Sequence, residues 1–284
     1  MARSFDIAIF GGDKRQIYLA KAFIEKGYSV CTYNLVEIVS EKNETRLQTL
    51  DEVFDSSVLI GPIPLSKNLI PLDQLISTFK KRLIKRHLLI GGVIPPALVQ
   101  FCDENKIEYC DLMKNEKIAI SNAVATAEGA IMEAIQASPI NLHKSKCLVL
   151  GYGRCGRVLA EKLIGLSAQV AVAARSEEAL AYAAASGMHS VHLTDIKDIL
   201  PDCNFIFNTV PALIMDSNQV MLLKDDTVII DISSAPGGVN YEATEKRGLN
   251  AKLCLGLPGK VSPKASAQIL FDEIILKLKE RGIK

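Results

Sequence analysis

The chain carries twice the pattern that most restricts its fold: a short apolar run, a turn containing glycines, and then a stretch with helical periodicity. The first copy is "FDIAIFGGDKRQIYLAKAF" at 5–23 and the second is "KCLVLGYGRCGRVLAEKL" at 146–163. An apolar run without alternation is what a strand covered on both faces needs, and a helix entered directly from a glycine turn is half of a parallel crossover. Two such starts in one chain raise the question of what each turn holds.

The remaining sequence repeats the same alternation. Strand candidates in the first half are IAIF (7–10), VCTY (30–33), VLIG (58–61), HLLIG (87–91) and IEYC (107–110). In the second half they are CLVLG (147–151), QVAVAA (169–174), SVHL (190–193), FIFNT (205–209), VIIDI (228–232) and AKLCLG (251–256), so five strands are followed by six. Helical patterns between them predict an α/β protein of two Rossmann-like domains, each a parallel doubly wound sheet. Small and apolar residues at helical spacing (Ala127, Ala130, Ile131, Ala134, Ile135) ahead of Pro139 predict a linking helix over 121–140. The domains expected are therefore 1–120 and 141–259. A last amphipathic helix within 260–284, with Pro263 as its starter and lysines near its end, is expected to complete the N-terminal lobe.

Composition narrows the function classes. The 284 residues suffice for two cores, and a net charge of +1 carries no signature of nucleic-acid binding. The N-terminus enters a strand almost at once and no apolar run reaches membrane length, so neither a signal peptide nor a membrane span is expected, and the location expected is cytoplasmic. Seven scattered cysteines, with no Cys-x-x-Cys pair, read as reduced, mostly buried thiols, and the four histidines have no spacing that suits a metal, so no metal site is expected. Small molecules are the expected ligands.

Gly151, Gly153 and Gly156 form Gly-x-Gly-x-x-Gly between a strand and a helix. In a dinucleotide site the first glycine permits the turn, the second admits the pyrophosphate and the third lets helix and strand approach. Arg154 and Cys155 lie within the same turn. NAD-specific sites place a carboxylate at the end of the next strand; here that strand ends in Ala174, Arg175 and Ser176, a guanidinium and a hydroxyl suited to a 2′-phosphate, so NADP is the expected cofactor. Asn208, Thr209, Val210 and Pro211 after the fourth strand of this half, and Ser233 after the fifth, are expected to border the nicotinamide end.

In the first turn the glycines are adjacent and Gln16 stands where the third glycine would be. The dinucleotide pattern is broken, but Gly12, Arg15, Gln16 and the helix N-terminus suit a carboxylate, and this turn is expected to take an anionic substrate. Gly92, Ser121, Asn122 and Pro258 are further substrate-site candidates, although a helix N-cap is the commoner role for residues such as Ser121 or Asn122 ahead of a helix. Glu128, the sole carboxylate of "AISNAVATAEG", is the candidate proton acceptor, or else a surface glutamate.

With these residues in place the chain resembles the dipicolinate synthase A-subunit family. The resemblance is carried by GGD-x-RQ at 11–16, "ATAEGAIMEAIQ", "VLGYGRCG", "AARS", "NTVPALIMD", "DISSAPGG" and "GLPGKVSPKASAQIL", in the family's order over nearly the whole chain. It implies an NADP-linked oxidation that aromatises dihydrodipicolinate to dipicolinic acid. It further implies action with the flavoprotein-like B-subunit of dipicolinate synthase, on which FMN would sit, in the mother cell of a spore-forming bacterium. The two-lobed plan also resembles 2-hydroxyacid and alanine dehydrogenases, but no histidine follows His192 to serve the hydroxyacid reaction. Two alternatives stay open: a non-catalytic NADP-binding protein with a regulatory or scaffold role, and an NADP-dependent dehydrogenase of another imino or hydroxy acid. Assembly into a homo-oligomer is open as well.

Overall fold

The computed structural model describes residues 6–37, 39 and 44–283. In chain order the strands and α-helices are β1 (Ile7–Phe10), α1 (Lys14–Glu25), β2 (Val30–Tyr33), β3 (Glu44–Arg46), β4 (Val58–Ile60), α2 (Leu72–Arg82), β5 (Leu88–Gly91), α3 (Pro96–Asn105), β6 (Glu108–Asp111), α4 (Glu116–Ala137), β7 (Lys146–Leu150), α5 (Arg154–Gly165), β8 (Gln169–Ala174), α6 (Glu177–Ala185), β9 (His189–His192), β10 (Phe205–Asn208), α7 (Ser217–Met221), β11 (Val228–Asp231), α8 (Tyr241–Lys246), β12 (Asn250–Leu253), α9 (Leu257–Val261) and α10 (Pro263–Glu280). The chain divides into two compact units, Met1–Ala119 with Ser262–Lys284, and Ile120–Val261.

The first unit holds a six-stranded sheet in the order β3-β2-β1-β4-β5-β6, all pairs parallel. Along β1 the side chains alternate between two cores. Ile7 and Ile9 face Phe23 of α1 and Leu270, Ile274 and Leu278 of α10, whereas Ala8 and Phe10 face Phe79 of α2 and Leu98 of α3. With helices on both faces the strand must be apolar on both, which is why IAIF shows no alternation. Five of the six strands follow the expected runs. The sixth, β3, has the sequence ETR and among the described residues pairs only with β2; as an edge strand it needs no apolar pattern, and periodicity could not reveal it.

The second unit repeats the plan with the order β12-β11-β10-β7-β8-β9, again wholly parallel. Cys147, Val149, Phe205 and Phe207 face α4 and α5 on one side; Leu148, Leu150, Ile206 and Ile229 face Leu200, Val220 and Leu249 on the other. α4 is apolar enough and, at 22 residues, long enough to cross a membrane, yet its Ala127, Ala130 and Ala134 are fully buried in this core. It begins at Glu116, earlier than the sequence suggests, because Asn115 Oδ1 accepts the Ile118 N–H and caps it.

The seven cysteines are free thiols, five of them buried. Burial pushes Cys31, Cys102 and Cys203 up to about 11 and Cys147 up to about 12, so these thiols act as small hydrophobes. Among the described residues no cluster suits a metal ion.

One buried histidine ties stability to pH. His87 is 1% exposed; its Nδ1 accepts the Ile84 N–H at 3.1 Å, so its Nε2 donates to Phe54 O at 3.0 Å. Burial, with Arg86, Arg281 and Arg82 nearby, holds its pKa below the usual 6.5, and the ring is neutral. The unfolded chain therefore takes up the proton first: the stability that the neutral ring contributes is complete above pH 6.5 and is lost as the pH falls below it. The urea midpoint is expected to drop between neutral and mildly acidic pH, and His87→Gln is expected to flatten that drop. An unchanged slope in the variant would assign the acid sensitivity to other groups.

Candidate functional site

The two glycine turns differ in what meets the start of the following helix. In the first unit α1 closes its own N-terminus. Asp13 Oδ1 accepts the Arg15 N–H, and the Gln16 side chain reaches back to the Asp13 N–H, a reciprocal capping box. Gln16 is 1% exposed and its Nε2 lies 3.4 Å from Gly61 O, so its side chain is consumed by the fold. This corrects its assignment to substrate. The loop after β4 fills the turn itself. Gly12 N–H donates to Lys67 O, Asn68 Nδ2 donates to Gly12 O, and a Cβ at Gly11 would stand 2.7 Å from Leu69. Both glycines have positive φ, and the backbone they form is covered by protein.

Arg15 is corrected as well, because its guanidinium is not free. Nε and Nη2 grip the two Asp13 oxygens at 2.9 and 2.8 Å, and Nη2 also reaches Ile63 O. Lys67 Nζ approaches the same carboxylate at 2.7 Å. Burial would raise the Asp13 pKa, but the hydrogen bonds and charge of Arg15, with Lys67, hold it well below the usual 3.8. Two cations on one carboxylate leave an excess of positive charge there, so the turn keeps a basic character that Lys67, at 27% side-chain exposure, presents more openly than Arg15 at 6%. Gly92 joins this region through its N–H to Pro62 O, and a Cβ on it would strike Ile63. Sequence reasoning missed Lys67, for which no local signal exists. The capping role of Asp13 was readable from its spacing to Gln16.

In the second unit α5 is left without a side-chain cap: Gly153 occupies the N-cap position and contributes none. Each glycine of the turn meets a distinct demand. Gly151 has φ +93°, and a Cβ there would collide with Thr209 Oγ1. A Cβ on Gly156 would strike Gly151 O, so this glycine sets the approach of helix to turn. Around Gly153, among the described residues and apart from its own stretch of chain, no atom comes within 4 Å of where a Cβ would be, so its side of the turn is open to a ligand. Uncapped helix N–H groups beside open space are what a pyrophosphate requires. Gly151, Gly153, Ala174, Arg175, Ser176 and Val210 line a cavity of ≈ 250 Å³ there. Arg175 is exposed at the end of β8, and Ser176 Oγ caps α6 by accepting the Ala179 N–H. The residues present therefore fit a dinucleotide. A larger cavity of ≈ 520 Å³ is lined by Lys146, Gln169 and His189 from the starts of strands, the edge away from the glycine turn.

The other candidates divide. Thr209 Oγ1 donates to Leu150 O and Val210 lines the cavity, so both border the turn, whereas Pro211 is exposed. Cys155 packs in the first turn of α5, where burial raises its pKa against the charge of Arg154, and Thr126 hydrogen-bonds it; the thiol stays protonated. Asn208 is fully buried, its amide spent on Val210, Asp231 and Ser233, so it acts behind the site rather than in it. Ser121 and Asn122 lie within α4 and are not its N-cap; the Asn122 Oδ1 is buried with no hydrogen-bond partner among the described residues. Pro258 is in α9, which packs on α4 at Gly129. Glu128 pairs with Lys162 at 2.9 Å. Lys162 is in the last turn of α5, about 12 Å along the helix from the glycine turn at 1.5 Å per residue, so the proton-acceptor role is withdrawn. Asp231 and Tyr241, not singled out from the sequence, hydrogen-bond at 2.9 Å at the end of β11. A carboxylate closing the otherwise apolar run VIID was the signal.

Comparison with known proteins agrees with this division. Residues 6–113 match the model of the dipicolinate synthase A-subunit N-terminal domain, and residues 112–239 match that of the D-isomer specific 2-hydroxyacid dehydrogenase NAD-binding domain. The crystal structure of the dipicolinate synthase A-subunit from Bacillus halodurans superposes with a TM-score of 0.85 at 30% identity, covering 96% of this chain and 97% of that one. The chain belongs to the dipicolinate synthase A-subunit family. The A-subunit of Bacillus subtilis (strain 168) is 29% identical over 99% of this chain and 98% of its own length. An L-alanine dehydrogenase shares the fold alone, with a TM-score of 0.65 at 14% identity over 98% of this chain and 91% of that one. The second unit of this family member is thus a dehydrogenase-type domain for a nicotinamide cofactor.

Proposed function

We propose that this chain oxidises dihydrodipicolinate to dipicolinic acid with NADP as hydride acceptor. The observation that carries the cofactor choice is the end of β8. Arg175 and Ser176 line the cavity beside the glycine turn, and among the described residues no carboxylate lines it to hold a 2′-hydroxyl or repel a 2′-phosphate. The NADP nicotinamide supplies the electrophilic carbon that takes the hydride. The neighbouring ring position of the substrate releases a proton, and the gain of an aromatic ring drives the step. The excess positive charge of Arg15 and Lys67 on Asp13 supports a dianionic substrate. The family name, which makes its members one kind of subunit of a synthase, supports action with a second kind, which we read as a flavoprotein-like B-subunit, in the cytoplasm of a sporulating mother cell.

A second reading, an NADP-binding scaffold for chemistry done by that partner, is favoured by one observation. Glu128 is ion-paired to Lys162 and Asp231 is saturated with donors, so neither carboxylate is poised to take a proton.

The test is NADPH absorbance with freshly generated dihydrodipicolinate, with and without the flavoprotein partner. NADP-dependent turnover supports the oxidation; binding of NADP without hydride transfer under either condition replaces it with the scaffold reading. Arg175→Ala is expected to weaken NADP binding about tenfold while leaving NAD unchanged. Equal loss of both nucleotides would remove Arg175 from 2′-phosphate recognition.

A further inference from the structure

The ends of β10 and β11 are joined by a buried polar knot. Asn208 and Asp231 are register partners, and both are fully buried. Asp231 Oδ1 accepts from Asn208 Nδ2 at 3.0 Å and from Ser233 N–H at 2.9 Å; Oδ2 accepts from Gly238 N–H at 2.7 Å and from Tyr241 Oη at 2.9 Å. Asn208 in turn holds Val210 through both its backbone N–H and its carbonyl. The two loops are stitched together further on, where Ile214 and Met215 N–H groups donate to Gly238 O. Side chains are excluded from the middle: a Cβ on Gly238 would stand 2.5 Å from both Ala212 O and Asn208 Nδ2, and one on Gly237 would stand 2.8 Å from Asp231 Oδ2. Among the described residues no lysine or arginine forms an ion pair with Asp231. Its four donors are all neutral groups, from the end of β10, the loop after β11 and α8.

These loops are continuous with the glycine turn, since Thr209 donates to Leu150 O and Val210 lines the cavity. In the strand order β11-β10-β7-β8 they lie across β7 from Arg175 and Ser176. A dinucleotide crosses the end of the central strand, with its adenosine half on the β8 side and its nicotinamide half on the β10 side. We propose that Asp231 is the positioning residue for the nicotinamide half: its carboxylate locks the loops after β10 and β11 into one preorganised edge without touching the cofactor. The proposal rests on the reading of the second unit as a dinucleotide domain.

An amide cannot replace this carboxylate. Each oxygen faces a fixed backbone N–H, from Ser233 on one side and Gly238 on the other, so whichever way a side-chain amide turned here, its NH2 would point at a donor. The experiment compares two ligands on the whole protein, NADP and its adenosine half, 2′,5′-ADP, with thermal unfolding measured alongside. Asp231→Asn is expected to weaken NADP about tenfold or more and 2′,5′-ADP less than about twofold. Tyr241→Phe, which removes one donor and keeps the charge, is expected to give the same selective loss at about threefold, and it carries the test if the first variant does not fold. Equal weakening of the two ligands, or of neither, would overturn the proposal by making Asp231 a general support of the fold. A wild-type protein that binds neither ligand would overturn the dinucleotide reading itself, and the proposal with it.

Discussion

Gly153→Ala is expected to leave the thermal midpoint close to that of the wild type while weakening NADP binding about tenfold or more, whereas Gly156→Ala is expected to destabilise the protein itself by about 1–3 kcal/mol. Gly153 has φ −82°, a value any residue adopts, and a Cβ there meets no protein atom. The methyl group would instead point into the space where the backbone of the turn is open to phosphate. At Gly156 the added carbon strikes the Gly151 carbonyl, so α5 must lift away from the turn, and the helix N–H groups move with it. Thermal denaturation and nucleotide titration on both variants separate the two effects. Wild-type affinity in Gly153→Ala would remove this turn from phosphate binding.

Arg15→Ala is expected to cost about 3 kcal/mol of stability, because it strips a largely buried carboxylate of its bidentate partner. The Asp13 and Arg15 side chains are 15% and 6% exposed, and after the truncation only Lys67 and the backbone N–H of residue 15 would remain on Asp13. The sign with pH follows. Asp13 is held below its usual 3.8 in the folded chain, so its contribution is complete above that value and is lost as the pH falls through the folded pKa. Without Arg15 the folded pKa rises, and acid unfolding is expected to begin at higher pH. Urea unfolding at several pH values checks both points. If the stability of Arg15→Ala stays within about 0.5 kcal/mol of wild type while KM for the dicarboxylate rises, the guanidinium is a free substrate clamp after all.

The strands are legible in the sequence wherever both faces are covered. IAIF, FIFN and VIID are apolar, or nearly so, because helices pack on either side of each sheet. β3 is not legible, because an edge strand of Glu, Thr and Arg carries no periodic demand. The start of α4 is hidden for a related reason. The small residues that mark its buried face begin after Ser121, but the helix begins where Asn115 caps it.

What the sequence by itself determined is local: two parallel α/β units, each opened by a strand, a glycine turn and a helix, and the glycine spacing at 151–156, where Gly151 answers to its positive φ and Gly156 to the Gly151 carbonyl. What only the tertiary structure decided is which side chains remain available. Arg15 and Gln16 look free in the string but are claimed by Asp13, Ile63 and Gly61; Glu128 is claimed by Lys162 some 34 residues on. Asp231 becomes the centre of a knot only when β10 and β11 lie side by side. A hydrogen bond or ion pair forms with whatever the fold brings within about 3 Å, and buried polar groups must find such partners. Residue type and spacing therefore name the candidates, while long-range packing selects the few that are left to meet a ligand.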